Sequence, residues 1–212
     1  MWIKICGVCD VQSARVAVSA GADAIGLNFI PRSKRFITVD QARSIADSVR
    51  GRVELVGVME DVTLARATAV KDEIALNRIQ FHFDKLGQAG LNLPPWAYAA
   101  FGLGAPRDVE RLQQAAGEPV LVDACVGGRS GGTGATFDWN WVVEIAKRRR
   151  IILAGGLTAD NVHQAVALVH PWGVDVASGV ELSGSPRVKD PERVAQFIER
   201  ARKATQNQTS ST

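Results

Sequence analysis

The sequence predicts an α/β protein built as a single (β/α)8 barrel, and three observations support this prediction. Short apolar runs alternate with amphipathic segments along the whole chain, which is typical of a parallel sheet with crossover helices. The runs are continuously apolar, as strands buried on both faces usually are. The length of 212 residues, 46% of them hydrophobic, is sufficient for one barrel of this kind.

Eight apolar runs are predicted to be strands, and a helix is predicted after each of them. The strands are 2–6, 22–29, 53–59, 78–82, 96–102, 119–123, 151–154 and 173–176. The helices are 11–19, 38–49, 62–71, 84–90, 107–116, 139–149, 158–169 and 190–203. Gly21 ends the first helix, and Thr38 opens the second. The segment 84–90 has a poor helical pattern.

The pattern favours one barrel domain over 1–203, because no linker or low-complexity segment interrupts it. The small polar residues of 204–212 predict a disordered C-terminal tail. A doubly wound open sheet is the alternative architecture. It would call for a glycine-rich fingerprint after the first strand, where the segment 6–10 reads CGVCD.

The composition argues against several classes of partner. The net charge is +3, and basic residues form no long run with interleaved aromatics, so we expect no nucleic-acid partner. No segment approaches the roughly 20 apolar residues of a membrane span, and no signal peptide is visible at the first residues. The three cysteines argue against a disulfide scaffold. We therefore expect a cytoplasmic protein.

Glycine pairs follow the last two predicted strands, where barrels often bind phosphate. Gly155-Gly156 follows the seventh strand, and Ser178-Gly179 follows the eighth. Glycines let backbone N–H groups approach phosphate oxygens, and a helix N-terminus adds a favourable dipole. The alternative is that these glycines only form tight turns.

Cys6 lies at the end of the first predicted strand and has three interpretations. The first is a structural cysteine, and the second is one half of a redox or metal CxxC with Cys9. The third is a general base whose thiolate is stabilised by its surroundings. Redox chemistry would call for a thioredoxin-type fold, and a zinc site needs about four ligands. We expect no metal.

Asp123 ends the apolar strand 119–123. A carboxylate there is either a loop anchor or functional, and burial beneath a substrate would raise its pKa and suit it to act as a general acid. The first and sixth strands of a barrel are not neighbours, so Cys6 and Asp123 could lie on opposite sides of a bound substrate.

The chain resembles the phosphoribosylanthranilate isomerases over about residues 3–198. The resemblance depends on an ordered series of motifs, and the order and spacing make it specific. They are KICG (4–7), AGADAIG (20–26), SKRF (33–36), VGV (56–58), QFH (80–82), LVD (121–123), GGTG (131–134), TFDW (136–139), LAGGL (153–157), GVDV (173–176) and SGVE (178–181).

The resemblance implies an Amadori rearrangement of N-(5-phosphoribosyl)anthranilate without a cofactor, and we expect a monomer or homodimer. It implies that Cys6 is the general base, that Asp123 is the general acid, and that Arg35 holds the anthranilate carboxylate. It also places Gln80, His82 and Asp175 at the substrate. The phosphate cradle that it implies comprises Gly132, Gly134, Gly155, Gly156, Ser178 and Gly179.

Two rival functions follow from the same residues. The related histidine-pathway isomerase resembles a duplicated half-barrel and uses two aspartates, and Cys6 stands where its first aspartate would be. A non-catalytic barrel that binds a phosphosugar is the other rival. Phe83, Ala135 and Ala177 motivate it, because they depart from the usual pattern of the isomerases.

Overall fold

The computed structural model describes residues 1–83, 93–113, 115, 117–126, 129–130 and 136–209. Eight parallel strands form a closed barrel, which confirms the predicted fold class. These strands are β1 (Trp2–Ile5), β2 (Ala24–Asn28), β3 (Glu54–Glu60), β4 (Arg78–Phe83), β5 (Ala97–Leu103), β6 (Val120–Val126), β8 (Ile151–Leu153) and β9 (Gly173–Val176). Around the barrel, β1 lies between β2 and β9, and β5 pairs with β6 on the far side.

Three further strands lie outside the barrel wall and were not predicted. The short β7 (Arg129–Ser130) pairs antiparallel with the end of β6. A hairpin of β10 (Glu181–Leu182) and β11 (Ser185–Lys189) follows β9. Its Arg187 donates hydrogen bonds to the carbonyls of Lys34 and Phe36, so the hairpin contacts the loop that follows β2.

Seven helices are present in the described part of the chain, and they surround the barrel. They are α1 (Val11–Ser19), α2 (Val39–Val49), α3 (Leu64–Ile74), α4 (Asp108–Gln113), α5 (Asn140–Ala146), α6 (Val162–Val169) and α7 (Pro191–Thr209). Asp10 and Thr38 cap the first two helices by accepting backbone N–H groups. The predicted helix at 84–90 lies outside the described residues. No described helix has the length and apolar character to cross a membrane.

The strands have two buried faces, as their continuous apolar sequences predicted. Ile3 and Ile5 point outwards into the large core between the barrel and the helices. Trp2 and Lys4 point into the barrel, because successive side chains of a strand alternate between faces. The inner core is small and includes Ala24, Val56, Tyr98, Ala100, Leu121, Ile152 and Ala154.

The structure differs from the prediction at the end of β6 and at the C-terminal segment. Asp123 does not end its strand, because β6 continues through the apolar residues 124–126 and pairs with β7. Residues 204–209 are not a disordered tail but the last turns of α7. Ala204 lies in this segment of small and polar residues, yet it is 2% exposed and packs in the core between the barrel and the helices.

Candidate active site

Polar side chains collect inside the barrel and at the carboxyl ends of its strands. Cys6 directly follows β1, His82 lies near the end of β4, and Asp123 lies on β6. Below them Gln80 points inwards from β4 and Asp175 from β9. The carboxyl ends of barrel strands form one face, and this is the face where barrel enzymes carry out their chemistry.

A polar layer crosses the barrel interior and centres on Lys4, which is 0% exposed. The Lys4 Nζ donates to Asp175 Oδ1 at 2.8 Å and to Gln80 Oε1 at 2.9 Å. Tyr98 donates its hydroxyl to the same Gln80 oxygen at 3.1 Å, and Gln80 Nε2 lies 2.8 Å from His82 Nε2. The layer therefore connects β1, β4, β5 and β9 beneath the face that carries Cys6 and Asp123.

Asp123 is a buried carboxyl group, 9% exposed, whose Oδ1 accepts the Ala124 backbone N–H at 2.7 Å. Burial, with a smaller contribution from the Asp175 carboxylate, raises the pKa of Asp123 from 3.8 to about 7. Gly155 packs directly against this residue, since a Cβ at Gly155 would lie 2.4 Å from Ala124 N and 2.9 Å from Asp123 Oδ1. The structure therefore gives the group the properties of an acid that donates protons near neutral pH.

Cys6 is also buried, at 8% exposure, and opposing influences act on its thiol. Burial and the Asp175 carboxylate raise the pKa of Cys6, while Lys4 and Lys189 act in the opposite direction. Gly26 on the neighbouring strand provides the space for the sulfur, because a Cβ there would lie 2.7 Å from Cys6 Sγ. A thiol in this position can serve as a base once cations stabilise its thiolate.

Arg35 lies in a second buried cluster of charges, at the rim of the barrel. Its Nε and Nη2 donate to the two carboxylate oxygens of Glu181, the latter at 2.7 Å. Lys189 donates to Glu181 Oε1 at 3.1 Å and to the Ala177 carbonyl at 3.0 Å. Gly7 has a φ of +68°, and a Cβ there would lie 2.2 Å from Arg35 Cδ, so only glycine allows the arginine this approach.

The glycine pairs predicted to bind phosphate lie in adjacent loops. Gly155 and Gly156 follow β8 with positive φ angles of 85° and 62°. Gly179 follows β9 and packs so closely that a Cβ would lie 2.0 Å from the Leu157 carbonyl oxygen. Thr158 and Gly179 form a backbone bridge between the two loops. Gly132 and Gly134 lie outside the described residues, and so does Ala135.

The structure thus brings Cys6, Gln80, His82, Asp123 and Asp175 to one end of the barrel interior. Sequence reasoning assigned no role in the site to Lys4, Tyr98, Glu181 or Lys189, although the motifs KICG and SGVE contain Lys4 and Glu181. The lysine within the apolar first strand was a signal that this residue has a function. Among the described residues, no group of three or more His, Cys, Asp or Glu side chains could hold a metal ion.

Comparison with known proteins places this geometry among related enzymes. The profile of the family described as N-(5'phosphoribosyl)anthranilate (PRA) isomerase matches residues 3–200. A protein of Desulforudis audaxviator named N-(5'-phosphoribosyl)anthranilate isomerase is 39% identical over 95% of this chain and 98% of its own. One of the same name from Roseiflexus castenholzii is 41% identical over 96% of this chain and 99% of its own.

Solved structures give the same picture. A crystal structure of phosphoribosyl anthranilate isomerase from Thermotoga maritima superposes with a TM-score of 0.84 at 32% identity, over 96% of this chain and 99% of the other. A crystal structure of phosphoribosyl anthranilate isomerase in complex with reduced 1-(o-carboxyphenylamino)-1-deoxyribulose 5-phosphate gives a TM-score of 0.81 at 31% identity with the same coverage.

Proposed function

The chain belongs to the N-(5'-phosphoribosyl)anthranilate isomerase family, and we propose that Cys6 and Asp123 are the base and the acid of its reaction. The reaction is the Amadori rearrangement of N-(5-phosphoribosyl)anthranilate to 1-(2-carboxyphenylamino)-1-deoxyribulose 5-phosphate. It is a step of tryptophan biosynthesis, and the enzyme is an aldose–ketose isomerase.

The reaction begins with two proton transfers, and each member of the buried pair carries out one of them. Asp123 donates a proton to the ring oxygen of the furanose, and the ring opens to a Schiff base. The carbon–nitrogen double bond acidifies the proton on C2, which the Cys6 thiolate removes. The resulting enolamine gains a proton at C1 and loses the proton of its C2 hydroxyl, which gives the amino-ketose. The Cys6 thiol then releases the proton that it accepted, and Asp123 regains through the solvent the proton that it donated, so the starting state is restored. The observation that carries this proposal is the pKa of about 7 at Asp123, which keeps a proton available near neutral pH.

The substrate has two anionic ends, and the barrel mouth offers a group of residues that suits each of them. We assign its phosphate to the adjacent loops with Gly155, Gly156, Ser178 and Gly179, to which Gly132 and Gly134 are added by prediction. We assign the anthranilate carboxylate to Arg35, whose plane is fixed by the bidentate pair with Glu181. Gln80, His82 and Asp175 line the space between, where the ribose hydroxyls would lie.

The substrate's fluorescence tests the activity directly, because anthranilate-type substrates emit and turnover quenches them. Purified protein should abolish the emission while the amino-ketose phosphate accumulates. Binding without a decay above the uncatalysed rate would instead identify a phosphosugar-binding barrel. We infer a cytoplasmic enzyme that is a monomer or a homodimer, which sedimentation would distinguish.

Arg35→Ala should raise KM by about 10- to 100-fold with a smaller effect on kcat, because a charge-assisted pair to a carboxylate is worth roughly 1.5–3 kcal/mol. The fluorescence assay at varied substrate concentration gives both constants. Arg35→Lys keeps the charge but loses the planar fork, and we expect an intermediate KM. Arg66→Ala, on the exposed face of α3, is the matched control with a wild-type KM. An unchanged KM in Arg35→Ala would remove the carboxylate contact from the proposal.

A further inference from the structure

Lys4 is an ionised side chain in the interior of the barrel, where burial is costly. It is 0% exposed, and its ammonium contacts the Asp175 carboxylate at 2.8 Å. A buried ion pair is seldom the most stable filling of such a space, since apolar residues of similar volume often stabilise a protein as much or more. We therefore expect this ammonium to serve a group that lies next to it.

The neighbour of Lys4 on the active-site side is Cys6. Lys4 lies on β1 and Cys6 directly follows it, two positions later along the extended chain, so the two side chains project to the same face of the sheet. Gly26 of the adjacent strand confirms their proximity, because the position of a Cβ there is 2.7 Å from Cys6 Sγ and 3.0 Å from Lys4 Cε. Because Gly26 carries no side chain, the Lys4 and Cys6 side chains can lie next to each other beside it.

The charges that face Cys6 come from several elements. Lys4 on β1, Lys189 on β11 and Arg35 in the loop after β2 are the cations, while Asp175 on β9 is an anion and Tyr98 on β5 is a neutral hydroxyl. Arg35 and Lys189 are both committed to Glu181. Lys4 has the larger influence of the two lysines on the thiol, because its positive charge lowers the pKa of Cys6 more than that of Lys189 does.

We propose that Lys4 is a positioning residue for the general base, whose buried ammonium stabilises the thiolate form of Cys6 that accepts the C2 proton. The inference rests on the proposed function of Cys6 and deepens it. Asp175 and Gln80 hold the ammonium in place from opposite sides of the barrel. The proton on Lys4 is retained throughout the reaction, because Asp175 keeps the pKa of this lysine above its ordinary value in spite of burial.

The thiolate of Cys6 can be titrated without any turnover. A Cys9→Ala, Cys125→Ala background leaves Cys6 as the last of the three cysteines. The pH dependence of thiolate ultraviolet absorbance then gives its pKa, with the same protein carrying Cys6→Ala as the blank. Lys4→Met should move the inflection upwards by at least about one pH unit and reduce the thiolate fraction near pH 8.5 about tenfold. Lys4→Arg should restore most of the shift.

Asp175→Asn is the matched variant of opposite sign. It removes the anion that faces Cys6 and should lower the inflection, whereas loss of packing in the polar layer would move both variants in the same direction. If Lys4→Met does not fold, the Lys4→Met/Asp175→Asn pair removes both charges together, and its inflection should lie above that of Asp175→Asn alone. An inflection that is the same with and without Lys4 overturns the proposal.

Activity measurements distinguish a failure of the Lys4 proposal from a failure of the proposed role of Cys6 as base. Full activity in Cys6→Ala would overturn the role of Cys6 as base, and the role of Lys4 in catalysis with it, whatever the titration shows. If Cys6→Ala is inactive and Lys4→Met leaves the thiol inflection unchanged, only the role of Lys4 is lost. The expected result is an inactive Cys6→Ala, together with a Lys4→Met variant whose kcat falls about as much as its thiolate fraction.

Discussion

Asp123→Asn should reduce kcat by about 10²–10⁴-fold, because an amide cannot donate the proton that opens the furanose ring. Substrate binding should change little, since the variant keeps the shape of the side chain and the Asn oxygen can still accept the Ala124 N–H. The fluorescence decay gives kcat, and emission on binding gives the affinity. Asp72→Asn, an exposed carboxylate on α3, is the control and should behave as wild type. Wild-type rates in Asp123→Asn would exclude this residue as the acid.

The same substitution should stabilise the protein. The pKa of Asp123 is raised from 3.8 to about 7 in the folded state, so the unfolded chain releases this proton at lower pH. Stability is therefore lost as the pH rises from about 4 to about 7, and the asparagine variant escapes this loss. We expect it to gain up to about 4 kcal/mol in the free energy of unfolding above pH 7, and almost nothing at pH 4. Urea denaturation at the two pH values measures both.

Cys6→Ala should reduce kcat by a comparable factor of about 10²–10⁴, because no other group then accepts the C2 proton. Alanine fits the site, since it removes only the sulfur that packs against Gly26. KM should change little because the phosphate and carboxylate contacts lie elsewhere. Cys9→Ala is the matched control. Cys9 is a second buried cysteine, and its sulfur donates to the backbone carbonyls of Gly7 and Arg35.

An active Cys6→Ala variant would exclude the thiol as the base and would return the residue to a structural role. Ring opening and proton abstraction can also be separated by deuterium at C2. Wild type should show a slower turnover of the deuterated substrate if abstraction limits the rate. Cys6→Ala should show a larger isotope effect than Asp123→Asn, because its remaining slow step is the transfer of that atom.

Much of the fold could be predicted because each barrel strand is buried on both faces and therefore appears as an unbroken apolar run. Helix α1 begins and ends where predicted, since Asp10 caps it and Gly21 follows its end. The failures occurred where local pattern and tertiary contact differ. Asp123 resembled a strand end, but the pairing of β6 with β7 extends the strand. Ala204 lies in a polar segment and is nevertheless buried.

The site was predictable only in part, for a related reason. Strand alternation shows that Lys4 points inwards, but its partners Gln80 and Asp175 are 76 and 171 positions away along the chain. Arg35 and Glu181 are 146 positions apart, and only closure of the barrel brings them together. Position and resemblance identified Cys6 and Asp123 as a pair. The charged groups that shift the pKa values of this pair come from distant parts of the chain, and no local sequence pattern identifies them.

Asp175 faces both members of the proposed acid–base pair, and this has a consequence for kinetics. One carboxylate raises the pKa of the Cys6 thiol and of the Asp123 carboxyl, so it influences both proton-transferring groups at once. The inflections of an activity–pH curve then describe the pair and not the individual residues. With the acid titrating near 7 and the thiol higher, thiolate with protonated Asp123 is the minor tautomer of a singly deprotonated enzyme. Turnover measured per mole of protein therefore understates the rate constant of the molecules that react.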